Sequence, residues 1–336
     1  MPMIARPIAL SVALGLLVSA TLAGAQTPPS QTSPQTSPPQ AWPQRTVKFI
    51  VPFGPGAGAD IGARLFGERL QTRWGKPVVI ENRPGADGIV AIQAFLAAND
   101  DHVLLFAASG SFTVHPYQYD KLSYAPADLV PIARVSNTIL ALGTPTSRNI
   151  NTLKDFVERA RAEPGRLNAA LVPGITEFTF DYFLKTEGLN VAKIPYRDIV
   201  QAATDVGEDR IQIMSSSYAI LQPQAQAGRI KVLAVAGRER APILPDVPTA
   251  IEAGFPSLEQ EGLVGLFGLQ SIPSELRERI GADVVAVAAD PAIAAKLAGT
   301  AQVVNPGGPG EFAAAVDKQR QMIAHIAQAL GIKPKQ

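Results

Sequence analysis

The glycine-rich stretch VPFGPGAGAD, from Val51 to Asp60, has the residue types of an anion-binding loop. An apolar run typical of a strand precedes it at Thr46–Ile50, and a run with helical spacing follows it. Backbone N–H groups at the start of a helix attract negative charge without help from Lys or Arg side chains. The sequence therefore predicts that this loop binds an anionic group, and the open question is which one.

A dinucleotide phosphate is one candidate for that group. Residues Gly54–Ala59 satisfy the pattern G-x-G-x-x-G/A, and Glu81 ends the next predicted strand about 20 residues further on, as the fingerprint requires. Three features weaken this reading: a single match is common by chance, Pro55 removes a backbone donor, and an exported protein rarely meets free NAD. A P-loop is excluded, because no Lys-Ser or Lys-Thr pair follows the glycines.

Catalytic and metal-binding patterns are weaker still. The segment Ser109–Ser111 follows a predicted strand, but AASGS does not match the nucleophile pattern G-x-S-x-G. His102 and His115 lie nearby, and Asp60 with Glu81 could form a carboxylate pair, yet isolated residues of these types are ordinary structural and capping residues. Without cysteine, a zinc site would need an unusual ligand set. We expect no catalytic residue, no metal and no cofactor.

Small residues also recur where other predicted strands lead into helices. Gly, Ser and Thr are ordinary turn residues, so each segment by itself also fits a simple tight turn. Several such segments at equivalent strand ends instead favour binding of a carboxylate by backbone N–H groups and hydroxyls. The segments are Gly54–Ala59, Ser109–Ser111, Pro173–Thr176 and Ser215–Ser217.

The elements that must position these loops alternate between strand-like and helix-like runs from residue 46 onward. Such alternation predicts an α/β protein with parallel sheets covered by helices. It restarts after a long apolar run near Ile132–Leu142, and a second long apolar strand is predicted near Gly262–Leu269. We therefore expect two α/β lobes joined by two crossover strands, with a ligand cleft between them.

Composition excludes one class of partner. The 336-residue chain carries a net charge of +1, which gives no case for the basic face that nucleic acid binding requires, and we expect no nucleic acid partner. With 46% hydrophobic residues, it is long enough to bury one large or two modest cores.

The N-terminus has the layout of a secretory signal peptide. Arg6 precedes an apolar stretch, and Ala23–Gln26 fits a cleavage site after Ala25. The alternative, a membrane anchor, fits less well because the apolar run is near the short end for spanning. Residues 26–43 are rich in Pro, Ser, Thr and Gln, and we expect a disordered linker.

The segment WPQRTVKFIVPFGPGAGADIGARLFGERLQTRWGKPVVIENRPGADG closely resembles the start of the mature Bug proteins, the extracytoplasmic solute receptors of the tripartite tricarboxylate transporter group. RIKVLAVAGRERAPILPDVPTAIEAGFP is similar to their second hallmark, and APADLVPIARV and KIPYR match in place. The resemblance covers nearly everything from Trp42 to the C-terminus.

The resemblance implies a type II periplasmic binding protein fold with two crossover strands. Residues 44–141 with 257–336 would form the first lobe, and residues 142–256 the second. Backbone amides and hydroxyls, often with bridging waters, would grip one carboxylate of a small organic acid. The residues that we expect at the ligand are Phe53, Gly54, Gly56, Ala57, Gly58, Asp60, Ser109 and Ser111 in the first lobe, and Gly174, Ile175, Thr176, Arg197, Asp198 and Ser215 in the second.

The second lobe departs from the family pattern. Family members usually carry an Asn-Gly-Ser or Asn-Gly-Thr loop where this chain has VPGITEF, so Ile175 takes the hydroxyl position and Glu177 adds a negative charge. A usual Lys-Gly-Gly-Ala-Pro segment is replaced by residues 197–201, where Asp198 and Ile199 stand in place of the two glycines. SSS also replaces the usual acidic-apolar pattern after RIQIM.

These departures shape our expectation for the ligand. Glu177 or Asp198 facing the cleft would repel a dicarboxylate, unless each pairs with Arg197 or points outward. We expect a monocarboxylate or an amino-acid-like zwitterion rather than a tricarboxylate such as citrate. The protein would be a monomeric receptor that serves a membrane permease or a sensor protein; an exported hydrolase-like enzyme and a receptor that has lost its ligand are the alternatives.

Overall fold

The computed structural model describes residues 42–171, 174–196 and 198–335, all within one compact unit that spans Ala41–Gln336. The predicted signal peptide, residues 1–25, and residues 26–41 of the predicted linker lie outside the described residues. None of the helices in the described part has the length and apolarity that crossing a bilayer requires.

The described strands form two sheets. The first has the order β11-β4-β10-β3-β1-β2, and the second has the order β7-β6-β8-β5-β9. The strands are β1 (Val47–Val51), β2 (Val78–Asn82), β3 (Val103–Ala108), β4 (Val130–Thr138), β5 (Leu140–Pro145), β6 (Asn168–Leu171), β7 (Ala192–Pro195), β8 (Ile213–Ser217), β9 (Ile230–Val235), β10 (Gly262–Gly268) and β11 (Gln302–Gly307).

Helices follow most of the strands, as the alternation of the sequence predicts. They are α1 (Gly58–Trp74), α2 (Ile89–Ala98), α3 (Ser109–Gln118), α4 (Leu153–Ala162), α5 (Ile175–Thr186), α6 (Ile199–Gly207), α7 (Tyr218–Gln226), α8 (Ser274–Ala288), α9 (Pro291–Ala298) and α10 (Pro309–Leu330). The sequence also suggests a helix broken near Pro223, which is wrong: α7 continues through Pro223, because Tyr218 and Leu221 anchor it in the core.

Burial on both faces explains the apolar character of the central strands. β1 is parallel to β2 and β3, and its Phe49 and Val51 are completely buried. β3 contributes Leu104, Leu105 and Phe106 to the same core. Parallel strands covered on both sides read as continuous apolar runs, which is why VKFIV and VLLFAA lack alternation.

The chain passes from the first sheet to the second at Ile139, between β4 and β5. The Ile139 N–H donates to the Ala301 carbonyl (2.9 Å), and the Ile139 carbonyl accepts from the Tyr218 N–H (2.8 Å). The chain returns through residues 236–261, where the Gln260 N–H donates to the Ala236 carbonyl (2.9 Å). The prediction of two sheets with flanking helices is confirmed, whereas the residue limits of the two lobes stay a prediction.

Strand register brings the carboxyl ends of the parallel strands to the same place. In the first sheet Ala108, at the end of β3, pairs with Val264 near the start of β10. In the second sheet Ser217, at the end of β8, pairs with Leu140 at the start of β5. Both strand ends lie beside Ile139, the point where the chain changes sheets, which we call the crossing. The loops after β1 and β3 therefore face the loops after β6 and β8. Ligands of open α/β sheets bind at such strand ends.

An apolar cluster also joins the two sheets. Phe178 of α5, which follows the second sheet, packs with Val114 of α3 and with Ile323 and Ile326 of α10. Beside the cluster, the Thr179 hydroxyl donates to Gln260 Oε1 at 2.7 Å. Helices α3 and α10 are therefore in direct contact with α5, the helix that follows β6 of the second sheet.

The end of the predicted linker is part of the fold. Trp42 packs edge-on against Trp74 with ring centroids 5.0 Å apart, and its carbonyl accepts from Arg279 at 2.6 Å. Pro43 is buried. The last two residues of the predicted linker therefore pack on the folded domain, because the Trp42 indole has an aromatic partner in Trp74.

Close packing around β10 gives a test of this architecture. A Cβ atom at Gly265 would overlap the Ala133 carbonyl oxygen and lie 2.5 Å from Phe312 Cε1. We expect Gly265→Ala to lower the free energy of unfolding by about 1–3 kcal/mol, because this position cannot accept a methyl group without movement of the backbone. Urea unfolding at neutral pH measures the change.

Gly310→Ala is the matched control, since a Cβ atom there meets nothing within 4 Å in the first turn of α10. Its stability should be unchanged or slightly raised. Equal stability of both variants would contradict the packing of β10.

Candidate functional site

Asp60 braces the glycine loop between β1 and α1. Its side chain is 2% exposed, and Oδ2 accepts from the Gly56 N–H at 2.8 Å and from Arg64 Nε at 3.0 Å. Burial would raise the pKa of Asp60, but hydrogen bonds from Arg64, Asn82 and Gly56 outweigh it and hold the pKa below its usual value. Its carboxylate is thus turned towards its own loop.

Asn82 completes this network, and the sequence analysis missed it. Its Nδ2 donates to the Phe53 carbonyl and to Asp60 Oδ1, both at 2.8 Å, and its Oδ1 accepts from Arg64 at 3.1 Å. The only signal for it is the register that pairs Asn82 with Val51, which requires knowledge of the strand order. Its neighbour Glu81 pairs instead with Lys48 and Arg83 at the surface, at 2.6 and 2.5 Å.

The start of α1 retains free amide groups. The Gly56 N–H is taken by Asp60, and the Ala57 N–H donates to the Gly54 carbonyl at 3.2 Å. The N–H groups of Gly58 and Ala59 belong to the first turn, where a helix offers no acceptor, and both residues are partly exposed. These amides, at the positive end of a 17-residue helix, can bind an anion.

Gln302, a second residue that the sequence analysis missed, ties this helix start to the crossing. Its buried amide donates to the Gly58 carbonyl at 2.7 Å and accepts from the Ser136 hydroxyl at 2.8 Å. The adjacent Ala301 carbonyl receives the Ile139 N–H, so the start of α1 lies close to the point where the chain changes sheets. Its position is therefore fixed from both its own loop and β11.

The Ser109–Ser111 segment is the first turn of α3 rather than a loop. The Ser109 hydroxyl is completely buried and donates to Gln319 Oε1 at 2.6 Å, so it serves the core. Gly110 is buried as well, and Ser111 is partly exposed. A Cβ atom at Gly110 would lie 2.9 Å from Ile175 Cγ2. Ile175, the first residue of α5, therefore lies directly on the start of α3.

In the second sheet, Gly174 has a φ of 123° before α5, a conformation that favours glycine. Thr176 is buried in the first turn of α5, whereas Ile175 is partly exposed. Pro173 and Arg197 lie outside the described residues. The structure thus brings Ile175 to the predicted first-lobe segment at Gly110.

The two acidic residues that the sequence places near the cleft have different surroundings. Asp198 is exposed and caps α6, accepting from Val200 N at 2.8 Å. Burial raises the pKa of Glu177, the negative charge of Asp181 raises it further, and Lys193 partly opposes both. No described residue donates to the Glu177 carboxylate, and Lys193 lies on the edge strand β7.

Ser215–Ser217 form the end of β8 and not a loop, since they pair with residues 140–142 of β5. Ser215 is 8% exposed, and the hydroxyls of this segment have no partner among the described residues. Tyr218, which follows, donates to the Ile139 carbonyl. The end of β8 is thus held at the crossing.

Comparison with known proteins identifies the family. A family model described as the tripartite tricarboxylate transporter family receptor matches residues 63–331. The chain belongs to this receptor family. Its members are periplasmic solute-binding proteins, which confirms the resemblance to the Bug proteins.

Individual relatives agree over nearly the whole length. A UPF0065 protein of Bordetella bronchiseptica is 28% identical over 321 residues, covering 95% of this chain and 93% of the relative. The structure titled R. palustris Rpa4515 with adipate has 25% identity and a TM-score of 0.75, covering 88% of this chain and all of that one. The periplasmic binding protein BugD has 24% identity and a TM-score of 0.72, covering 87% and 99%, and it supports the fold alone.

The Asp60 network predicts a stability that depends on pH. Asp60→Asn should lower the free energy of unfolding by about 1–3 kcal/mol at neutral pH, because it removes a buried carboxylate that accepts hydrogen bonds from three residues. Since the pKa of Asp60 is lower in the folded state, its contribution is complete above the unfolded pKa near 3.8 and is lost as the pH falls through the folded value. Urea unfolding from pH 7 to pH 2 should show the two stability curves converging below about pH 4.

Asp198→Asn is the control for this charge change, because asparagine also caps a helix well and the residue is exposed. Its curve should follow that of the wild type throughout. Parallel curves for Asp60→Asn and the wild type would show that Asp60 does not stabilise the loop as an anion.

Proposed function

We propose that this protein is a receptor without catalytic activity that captures a small carboxylate-bearing metabolite between the loops of its two sheets. It delivers the ligand to a membrane permease of the tripartite tricarboxylate type. The observation that carries the proposal is the start of α1, where Asp60 and Gln302 hold the loop and the Gly58 and Ala59 amides have no acceptor among the described residues.

The chemistry of this site fits a carboxylate. Two to three N–H groups at the positive end of a helix satisfy one carboxylate without a cationic side chain. The similar solved structure of R. palustris Rpa4515 is described as being with adipate, which is a dicarboxylate. The signal-peptide pattern of residues 1–25 supports export of this chain to the periplasm, where such receptors act.

The surroundings of the candidate catalytic residues argue against the hydrolase alternative. The Ser109 hydroxyl donates to Gln319 and not to a histidine. His115 is completely buried, with Nδ1 2.6 Å from the Tyr124 hydroxyl. A nucleophile needs an adjacent base within hydrogen-bond reach, and these residues do not supply one.

Thermal unfolding of the mature chain, residues 26–336, tests the proposal. The ligand panel should contain mono- and dicarboxylates of four to eight carbons, citrate and the common amino acids. We expect at least one acid to raise the melting temperature in a concentration-dependent way, with no product formed on prolonged incubation. If no acid stabilises the protein, and none is found by mass spectrometry in the purified protein, the receptor function is refuted.

A pair of substitutions at Gly58 tests the amide site. Gly58→Pro removes the N–H at a helix position that accepts proline, and the preceding Ala57 has a ψ of 152°, which proline tolerates. Gly58→Ala adds a similar Cβ atom, 3.1 Å from Gln302 Nε2, but keeps the N–H. Calorimetry with the tightest acid of the panel should show roughly 10–100-fold weaker binding for Gly58→Pro than for Gly58→Ala. Equal affinities would place the carboxylate elsewhere.

A further inference from the structure

Ile175 forms an apolar contact between α5 and the start of α3, the helix that follows the strand next to β1. Its Cγ2 lies 2.9 Å from the position that a Cβ atom of residue 110 would take, so the side chain rests on the backbone of α3. It also packs against the buried cluster that includes Val114 and Phe178. Ile175 nevertheless remains partly exposed, and so it presents apolar surface beyond this contact.

This contact covers part of the start of α3. The Gly110 backbone is covered by Ile175, and the Ser109 hydroxyl is already bound to Gln319 in the core. Of the two helix starts that the first sheet directs towards the crossing, α1 has two partly exposed residues, Gly58 and Ala59. At α3, Ile175 covers Gly110 and only Ser111 is partly exposed. One carboxylate has a site, and a second would lie against Ile175.

Burial of a charged group against a hydrocarbon without a hydrogen-bond partner is costly. Among the described residues near Ile175, the nearest charged side chain on its own helix is Glu177, which would repel a second carboxylate. The Asp198 carboxylate is directed to the N–H groups of α6. Both residues are acidic, so neither can offset the negative charge of an anion at this end of the site.

We infer that Ile175 determines specificity and selects monocarboxylates whose end remote from the carboxylate is apolar. The carboxylate binds the start of α1 and the hydrocarbon end packs against Ile175. This inference rests on the proposed receptor function and narrows its substrate class. It separates this chain from receptors that hold two carboxylates.

Calorimetry with hexanoate and adipate tests the inference, because the two acids have the same carbon chain and differ in the second carboxylate. The mature wild-type chain should bind hexanoate at least about tenfold more tightly than adipate. Ile175→Thr replaces the ethyl branch with a hydroxyl and should reduce this ratio by roughly tenfold, mostly by improving adipate binding. Ile175→Val, which stays apolar, should keep the wild-type ratio.

Ile251→Thr is the matched control, since Ile251 is 40% exposed and the chemical change is identical. It should leave the hexanoate-to-adipate ratio unchanged. A wild-type chain that binds adipate as tightly as hexanoate, or a ratio that Ile175→Thr does not alter, overturns the inference while the receptor function stands. If neither these two acids nor any other member of the panel binds the wild type, the receptor function fails and the inference fails with it.

Discussion

The hydrogen bonds around the Asp60 carboxylate are the constraint on which the site depends. A buried carboxylate is costly unless donors surround it, and here a backbone amide, a guanidinium and a side-chain amide do so. Because Asp60 takes the Gly56 amide, the loop turns so that the next amides, at the start of α1, remain for a ligand. The same network ties β2 to the loop through Asn82, which also holds the Phe53 carbonyl.

The crossing between the sheets gives this loop its partner. Ile139 bonds to Ala301 of the first-sheet region and to Tyr218 at the start of α7, and Gln302 reaches back to Gly58. Positions on opposite sheets are thereby related through backbone and buried amide contacts rather than through flexible surface side chains. A short connection with these hydrogen bonds places the loops of the two sheets next to each other, as the proposed ligand site requires.

Much of this could be predicted from the sequence, and the rest could not for a definite reason. The alternation of strands and helices predicts two α/β sheets, and Gly54–Ala59 predicts an anion-binding helix start, because both signals are local. The roles of Asn82, Gln302 and Gln319 depend on partners 22 to 244 residues away, so only the strand order brings them into contact. Asp198 was predicted at the ligand, yet it caps its own helix, since a short acidic side chain before a helix finds the nearest N–H groups first.

In the proposed receptor, the two sheets have different roles in ligand recognition. Amides at the start of a helix bind any carboxylate, so the first sheet contributes affinity for a class of ligands and little discrimination within it. Discrimination requires a group that penalises the wrong ligand, and an apolar side chain opposite a helix start does this by offering no donor to a second charge. On the proposed function, a single residue after β6 therefore has more influence on the choice of ligand than the glycine loop that first indicates a binding site. On this proposal, substitution of Ile175 changes the ligand without removing any hydrogen bond of the Asp60 network, because Ile175 rests on the start of α3 whereas that network holds the loop between β1 and α1.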